Sequence, residues 1–292
     1  MGGFGTALLF TPSVAAVGHY FSTRRGNATG IACTGGSIGG IIFPFMLQKL
    51  IPEVGFPWSC RIVGFLCLAL CIIANILIRN RLPPLENADA YPDLRIFKSA
   101  AFSITTLGVF LIEWGLFVPI TYISSYALSQ GFSQAFAFQI LPIMNVGSFF
   151  GRWIPGFYAD KIGRYNTIIL SVTLNIIAVL CIWLPAGNTT AGFVMFALLF
   201  GFASGSNVSL TPVCISQLCP TESYGRYYAT CYTVVSFGCL TGVPIAGEIL
   251  AHNGGQYWGL MVFVGVCYIG ALAALVTTRV QSKGWNWYHI LE

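Results

Sequence analysis

The stretch Asn145–Asn166, NVGSFFGRWIPGFYADKIGRYN, sets one arginine inside an apolar run and follows it with a tight charged turn. Residues 136–150 upstream are almost wholly apolar, and Gly156, Asp160, Lys161, Gly163 and Arg164 crowd the downstream side. The order reads as a membrane helix that carries Arg152 within its span and leaves the bilayer at the turn. A guanidinium near the bilayer centre costs about 2.5–3.5 kcal/mol on insertion scales, and where one occurs it faces protein interior or a water-filled path. One stretch therefore points both to a helical membrane fold and to a route for a solute.

The composition agrees. Of 292 residues, 56% are hydrophobic and 8% charged, with a mean hydropathy of +0.76, whereas soluble domains carry about a quarter charged residues. A soluble enzyme is excluded. The net charge of +5 is spread over short hydrophilic breaks rather than gathered in a patch, so no nucleic-acid partner is expected and the charge reports topology. The ten cysteines lie nearly all inside apolar runs and without C-x-x-C spacing. They read as small packing residues, and neither a zinc site nor a disulfide framework is expected.

A span needs about 20 mostly apolar residues, and nine windows qualify: 2–18, 30–50, 60–78, 100–122, 136–158, 167–184, 192–218, 228–250 and 257–278. Continuous runs without period-two alternation choose helices over a barrel. The expectation is an all-α, multi-pass integral membrane protein whose surroundings are the lipid bilayer. Arginines and lysines at 24, 25, 79, 81, 95, 98, 161, 164, 226, 279 and 283 fall in alternate breaks and the tail, which makes those breaks and the C-terminus cytosolic. The break holding Pro83-Pro84, Glu86, Asp89 and Asp93 divides the windows into a three-span part, residues 1–78, and a six-span part, residues 99–278, joined by a linker at 79–98 and followed by a tail at 279–292. Breakers recur at an offset of 200, as in Thr11-Pro12 and Thr211-Pro212 or Pro44 and Pro244, which suggests that spans one to three repeat spans seven to nine. Glycines four apart, at Gly35/Gly39, Gly36/Gly40, Gly147/Gly151, Gly201/Gly205 and Gly238/Gly242, are read as helix-packing seams.

The turn Gly156, Asp160, Lys161, Gly163, Arg164 resembles the G-x-x-x-D-[RK]-x-G-[RK] signature of the major facilitator superfamily. The segments HYFSTRRGNATGIACTGGSIGGIIFP (His19–Pro44) and GLFVPITYISSYALSQ (Gly115–Gln130) look like the fourth-to-fifth helix junction and the seventh helix of its monocarboxylate-porter family, in the fungal branch. The resemblance implies a major facilitator fold in which the nine spans are family helices four to twelve and the first three are lacking. It also implies secondary transport of a small organic anion by alternating access, in the plasma membrane and without a cofactor. Export of a larger acidic secondary metabolite is the alternative substrate reading, and a truncated chain that serves as a non-transporting fragment or a regulatory partner is the other.

Arg152 corresponds to the family arginine held to pair with the substrate carboxylate, and a planar, permanently charged fork suits that partner. The alternative is a structural arginine that reaches backbone carbonyls or snorkels to the interface. One helical turn earlier many family members carry an aspartate tied to proton coupling, where this chain has Ser148; Asn145 completes the candidate substrate face of that helix. Glu113 is the other charge well inside an apolar run. It is assigned to coupling in place of the missing aspartate, at roughly 20 Å from its cytosolic helix end against roughly 9 Å for Arg152, which makes the two separate stations. The seventh window is polar at its centre, through Ser204, Ser206, Asn207, Ser209 and Thr211, and is expected to line the cavity and to bend at Pro212. Asn207 is a candidate contact there, and the resemblance adds Phe202. Asp160, Gly163 and Arg164, with Glu222 and Arg226 opposite and Arg24 and Arg25 nearby, are read as a cytosolic gate of charge pairs. Intramembrane catalysis is not expected: His19, His252 and His289 lie at span ends or in the tail, and no H-E-x-x-H or G-x-S-x-G occurs. The sequence leaves the oligomeric state open.

Overall fold

A computed structural model describes residues 2–21, 23–79 and 93–283, and every regular element among them is helical. The order is α1 (Gly2–Tyr20), α2 (Arg25–Leu77), a short 3₁₀ turn (Leu94–Lys98), α3 (Ala100–Ser129), α4 (Gln134–Ile162), α5 (Arg164–Ile176), a π-helical stretch (Ile177–Trp183), α6 (Leu184–Ala186), α7 (Thr190–Ile215), a 3₁₀ turn (Thr221–Ser223), α8 (Tyr224–His252) and α9 (Trp258–Lys283). By length and composition, six segments among the described residues suffice to cross a membrane: Arg25–Leu77, Ala100–Ser129, Arg164–Ala186, Thr190–Ile215, Tyr224–His252 and Trp258–Gln281. Windows 30–50 and 60–78, read separately from the sequence, run together as the 53-residue α2, broken at Gly55 with φ 78° and ψ 162°. The break falls there because glycine alone reaches that conformation without a Cβ clash, and Pro52 and Pro57 remove amide donors on either side of it.

Within the described part α4 is central: it packs most extensively on α7 by one face and on the first half of α2 by another. Both seams are made of glycines. A Cβ at Gly147 or Gly151 would strike the backbone of Leu198 or Phe202, and one at Gly201 would strike the Met144 carbonyl; on the other side one at Gly30 would strike the Arg152 carbonyl. Without solvent to drive apolar association in lipid, such close backbone approach is what holds helices together. Not every glycine repeat serves this end, since Gly35 has open space around it.

Helices α3, α4, α5, α7 and α9 enclose the main core, which ends in an aromatic stack where the Trp183 and Phe196 rings lie 4.5 Å apart. A smaller core at the opposite end joins α3, α7 and α8 through Phe102, Ile215, Tyr228 and Val235. By contrast, the most apolar stretch of α2 has no buried residue. Of the linker only Arg79, Asp93 and the 3₁₀ turn are described; Pro83, Pro84, Glu86 and Asp89, like tail residues 284–292, lie outside the described residues.

Candidate functional site

Glu113 of α3, Asn145, Ser148 and Arg152 of α4, Ser204 and Val208 of α7, Tyr232 and Cys239 of α8, and Phe10 of α1 line one cavity of about 370 Å³. Residues from five helices thus meet at mid-bundle, where a helical membrane protein places a ligand between its walls. A second cavity of about 470 Å³ lies between α1 and α2, reaches Tyr20 and Arg79, and shares Phe10 and Arg152 with the first.

Arg152 is partly buried at this junction. Its Nη1 donates to the Cys33 carbonyl at 2.6 Å, across the α2–α4 seam, where the missing side chain of Gly36 leaves room for the guanidinium. Its Nε is buried and has no hydrogen-bond partner among the described residues. The guanidinium is therefore held by one donor and keeps others to offer. A turn away, Ser37 Oγ and Ser148 Oγ are hydrogen-bonded at 3.1 Å, and Asn145 Nδ2 donates to the Leu141 carbonyl at 3.0 Å.

Glu113 is 5% exposed. Its surroundings are Tyr232 and Cys239 of α8 and Tyr268 of α9, and no ion pair reaches it among the described residues. It and Arg152 are not separate stations but two walls of one cavity. The sequence estimate misplaced Arg152 because α4 runs on to Ile162: ten residues from that end give a depth of about 15 Å, against about 20 Å for Glu113, thirteen residues into α3.

The polar centre of α7 only partly faces the cavity. Ser206 Oγ donates to the Gly151 carbonyl at 2.8 Å and Ser209 Oγ to the Arg152 carbonyl at 3.3 Å, so these hydroxyls knit α7 to α4. Asn207 is 1% exposed and outside the cavity lining, with neither amide atom hydrogen-bonded among the described residues. Phe202 lies outside the lining as well and contributes its backbone to the seam with Gly147 and Gly151. Pro212 does not end α7, which continues to Ile215. Phe10, Phe117, Ile120, Tyr232 and Cys239 complete the cavity wall; sequence reasoning passed over them because an apolar or aromatic residue in an apolar helix leaves no anomaly to notice.

At the charged end of the bundle Asp160 is held by backbone rather than by an arginine. Both Asp160 carboxylate oxygens accept from the first amides of α2, Gly26 N and Asn27 N, each at 2.9 Å, rather than meeting Arg226. Exposed backbone donors and a positive helix end make an N-terminus a natural seat for a carboxylate. Arg226 pairs with Asp93 at 3.0 Å in a partly exposed bridge, worth about 0–1 kcal/mol. Arg164 Nη1 donates to Ser216 Oγ at 3.3 Å. Gly163, at φ 96°, turns the chain from α4 into α5. Arg25, 4% exposed, donates to the Gly18 carbonyl at 2.6 Å and to the Phe21 carbonyl at 3.0 Å and lies over the Tyr224 ring, tying α1, α2 and α8 together. Arg24 is exposed and makes no capping hydrogen bond. The side chain of Glu222 lies outside the described residues.

The sequence model of the Major Facilitator Superfamily matches residues 1–243 and 156–286. Among curated proteins the chain is similar to "MFS transporter asaE" of Aspergillus flavus, 39% identical over 96% of this chain and 64% of that one. It is also similar to "Riboflavin transporter MCH5" of Saccharomyces cerevisiae, 35% identical over 98% and 59%, and to "Fujikurins efflux protein" of Gibberella fujikuroi, 36% identical over 96% and 60%. The chain thus spans about 60% of the length of these relatives. Its backbone resembles that of the transporter FucP, solved in an outward conformation, with a TM-score of 0.72 at 15% identity, covering 94% of this chain and 73% of that one.

Proposed function

The chain belongs to the major facilitator superfamily, and from that premise we propose that it forms a solute path for secondary transport of an organic anion held by Arg152. The observation that carries the reading is that Arg152, Ser148, Asn145 and Glu113 share one cavity, while the buried Arg152 Nε has no hydrogen-bond partner among the described residues. A carboxylate set there supplies the acceptor that the guanidinium lacks, in a setting where a charge-assisted pair is strong. Glu113 serves as the proton-accepting group of the same cavity. α2 is two passes meeting at Gly55, and with α1 and α4 counted the passes are nine, the family's helices four to twelve in its monocarboxylate-porter branch. The arginine-rich end and the C-terminus face the cytosol of a cell whose plasma membrane holds the protein.

Two features favour a larger acid over a short monocarboxylate. The cavity of about 370 Å³ falls in the range that suits drug-sized ligands, and Leu116, Phe117, Ile120, Met144 and Val208 give it apolar walls. The relative named for fujikurin efflux supports export as the direction. The purified chain is expected to bind caprylate at least about tenfold more tightly than lactate, as read by tryptophan fluorescence titration, since burial of extra methylenes contributes about 0.8 kcal/mol each. Equal or tighter binding of lactate overturns the larger-acid reading.

Alternating access requires a seam that opens, and the one latched by Asp160 fits that need. Asp160→Asn keeps the shape but removes the charge facing the α2 amides, a weakening of about 1 kcal/mol or more. Cys33, 6% exposed beneath that seam, should then be alkylated by a membrane-permeant maleimide about fivefold faster, as read by peptide mass spectrometry. An unchanged rate argues that the seam is a fixed joint.

A further inference from the structure

We infer that the cavity takes a zwitterion: an amphipathic acid whose carboxylate lies at Arg152 and whose far end presents an ammonium group to Glu113. The inference rests on the reading of Arg152 as the anion anchor and adds a second pole, which determines specificity.

Glu113 has a peculiar position. It lines the cavity while 5% exposed, and the titratable groups around it, Tyr228, Cys231, Tyr232 and Cys239 of α8 and Tyr268 of α9, bring no cation. Buried carboxylates in proteins are paired or hydrogen-bonded, because an isolated buried charge is costly. No cationic side chain pairs with this one among the described residues, although a guanidinium stands in the same cavity. Arg152 is turned instead toward α2, where the Cys33 carbonyl occupies its Nη1.

Both poles are therefore incompletely satisfied, and for the same reason: the helices keep them apart. No ion pair joins them among the described residues, and Leu116 and Met144 stand on the apolar wall of the cavity they share. A plain organic anion satisfies one pole and leaves the other facing its hydrocarbon. A ligand with an acid at one end, an amine at the other and an apolar middle satisfies both and matches the walls between them. Recognition by two opposite charges also rejects competitors, since a neutral or singly charged analogue leaves one buried group unpaired.

The test uses the full purified chain and two probes of equal length, caprylate and its ω-amino analogue, with affinity read by tryptophan fluorescence titration. The wild type is expected to prefer the ω-amino probe about tenfold. Glu113→Gln, nearly isosteric, is expected to erase that preference, and Glu113→Asp, which keeps the charge, to restore part of it. A preference that survives Glu113→Gln, or that is absent from the wild type, overturns the second pole while leaving the anion anchor standing, provided caprylate binding still depends on Arg152. Caprylate binding that is indifferent to Arg152→Gln overturns the anchor, and the zwitterion with it.

Discussion

Arg152→Gln is expected to weaken binding of a carboxylate probe such as caprylate by at least about thirtyfold and to lower its transport in step. Removing one member of a desolvated charge pair costs about 2–5 kcal/mol, and each 1.4 kcal/mol is a factor of ten. Arg152→Lys tests the geometry rather than the charge. The guanidinium has Nη1 engaged with the Cys33 carbonyl and its Nε buried beside the cavity without a partner, so it can grip the backbone and a ligand together. A lysine has one nitrogen for both tasks and no fork. It should therefore recover only part of the affinity, about tenfold below wild type. A lysine variant as good as the wild type reduces Arg152 to a point charge. A glutamine variant that still binds caprylate normally removes Arg152 from the site and assigns it to the seam, where glutamine can also donate to the Cys33 carbonyl.

Much of this was legible in the sequence because membrane insertion makes charge conspicuous. Arg152 and Glu113 are anomalies in apolar runs, and both were found that way. The glycine pairs at 147/151 and 201/205 announced helix contact, and each meets the other helix's backbone. What the residues withheld was direction. Ser206, Asn207 and Ser209 look like a polar lining in one dimension, yet the two serine hydroxyls turn onto carbonyls of α4, because in lipid a hydroxyl is satisfied as well by a neighbouring backbone as by water. Asp160 and Arg226 look like partners by charge, but the amides that begin α2 are alternative donors to that carboxylate, and helix ends carry no letter of their own. Depth was misjudged for Arg152 since the helix end at Ile162 lies beyond the last apolar residue of the window.

The two glycine seams of α4 make the sharpest contrast, and Gly201→Val against Gly30→Val measures it. In both places the added Cβ meets a backbone carbonyl of α4, that of Met144 for position 201 and that of Arg152 for position 30, and backbone cannot step aside as a side chain does. Overpacking of this kind costs about 1–3 kcal/mol and more where no rotamer relieves it. The local insult is alike, yet the consequence should differ because the seams join different things. Between α4 and α7 the seam passes through the main core, with Phe196, Ala197 and Phe200 fully buried around it, so parting those helices opens the interior. Gly201→Val is expected to lower the melting temperature by about 5–10 °C, on the order of ΔΔG near 3 kcal/mol for a chain of this size, or to prevent folding. Between α2 and α4 the seam borders two cavities and is latched by the Asp160 carboxylate. If it is the joint that opens during transport, the protein already tolerates its separation, and Gly30→Val should stay folded while exposing Cys33 to maleimide as Asp160→Asn does. Equal loss of melting temperature in both variants makes the α2–α4 contact part of one rigid core, and access to Arg152 must then come from the opposite end of the bundle.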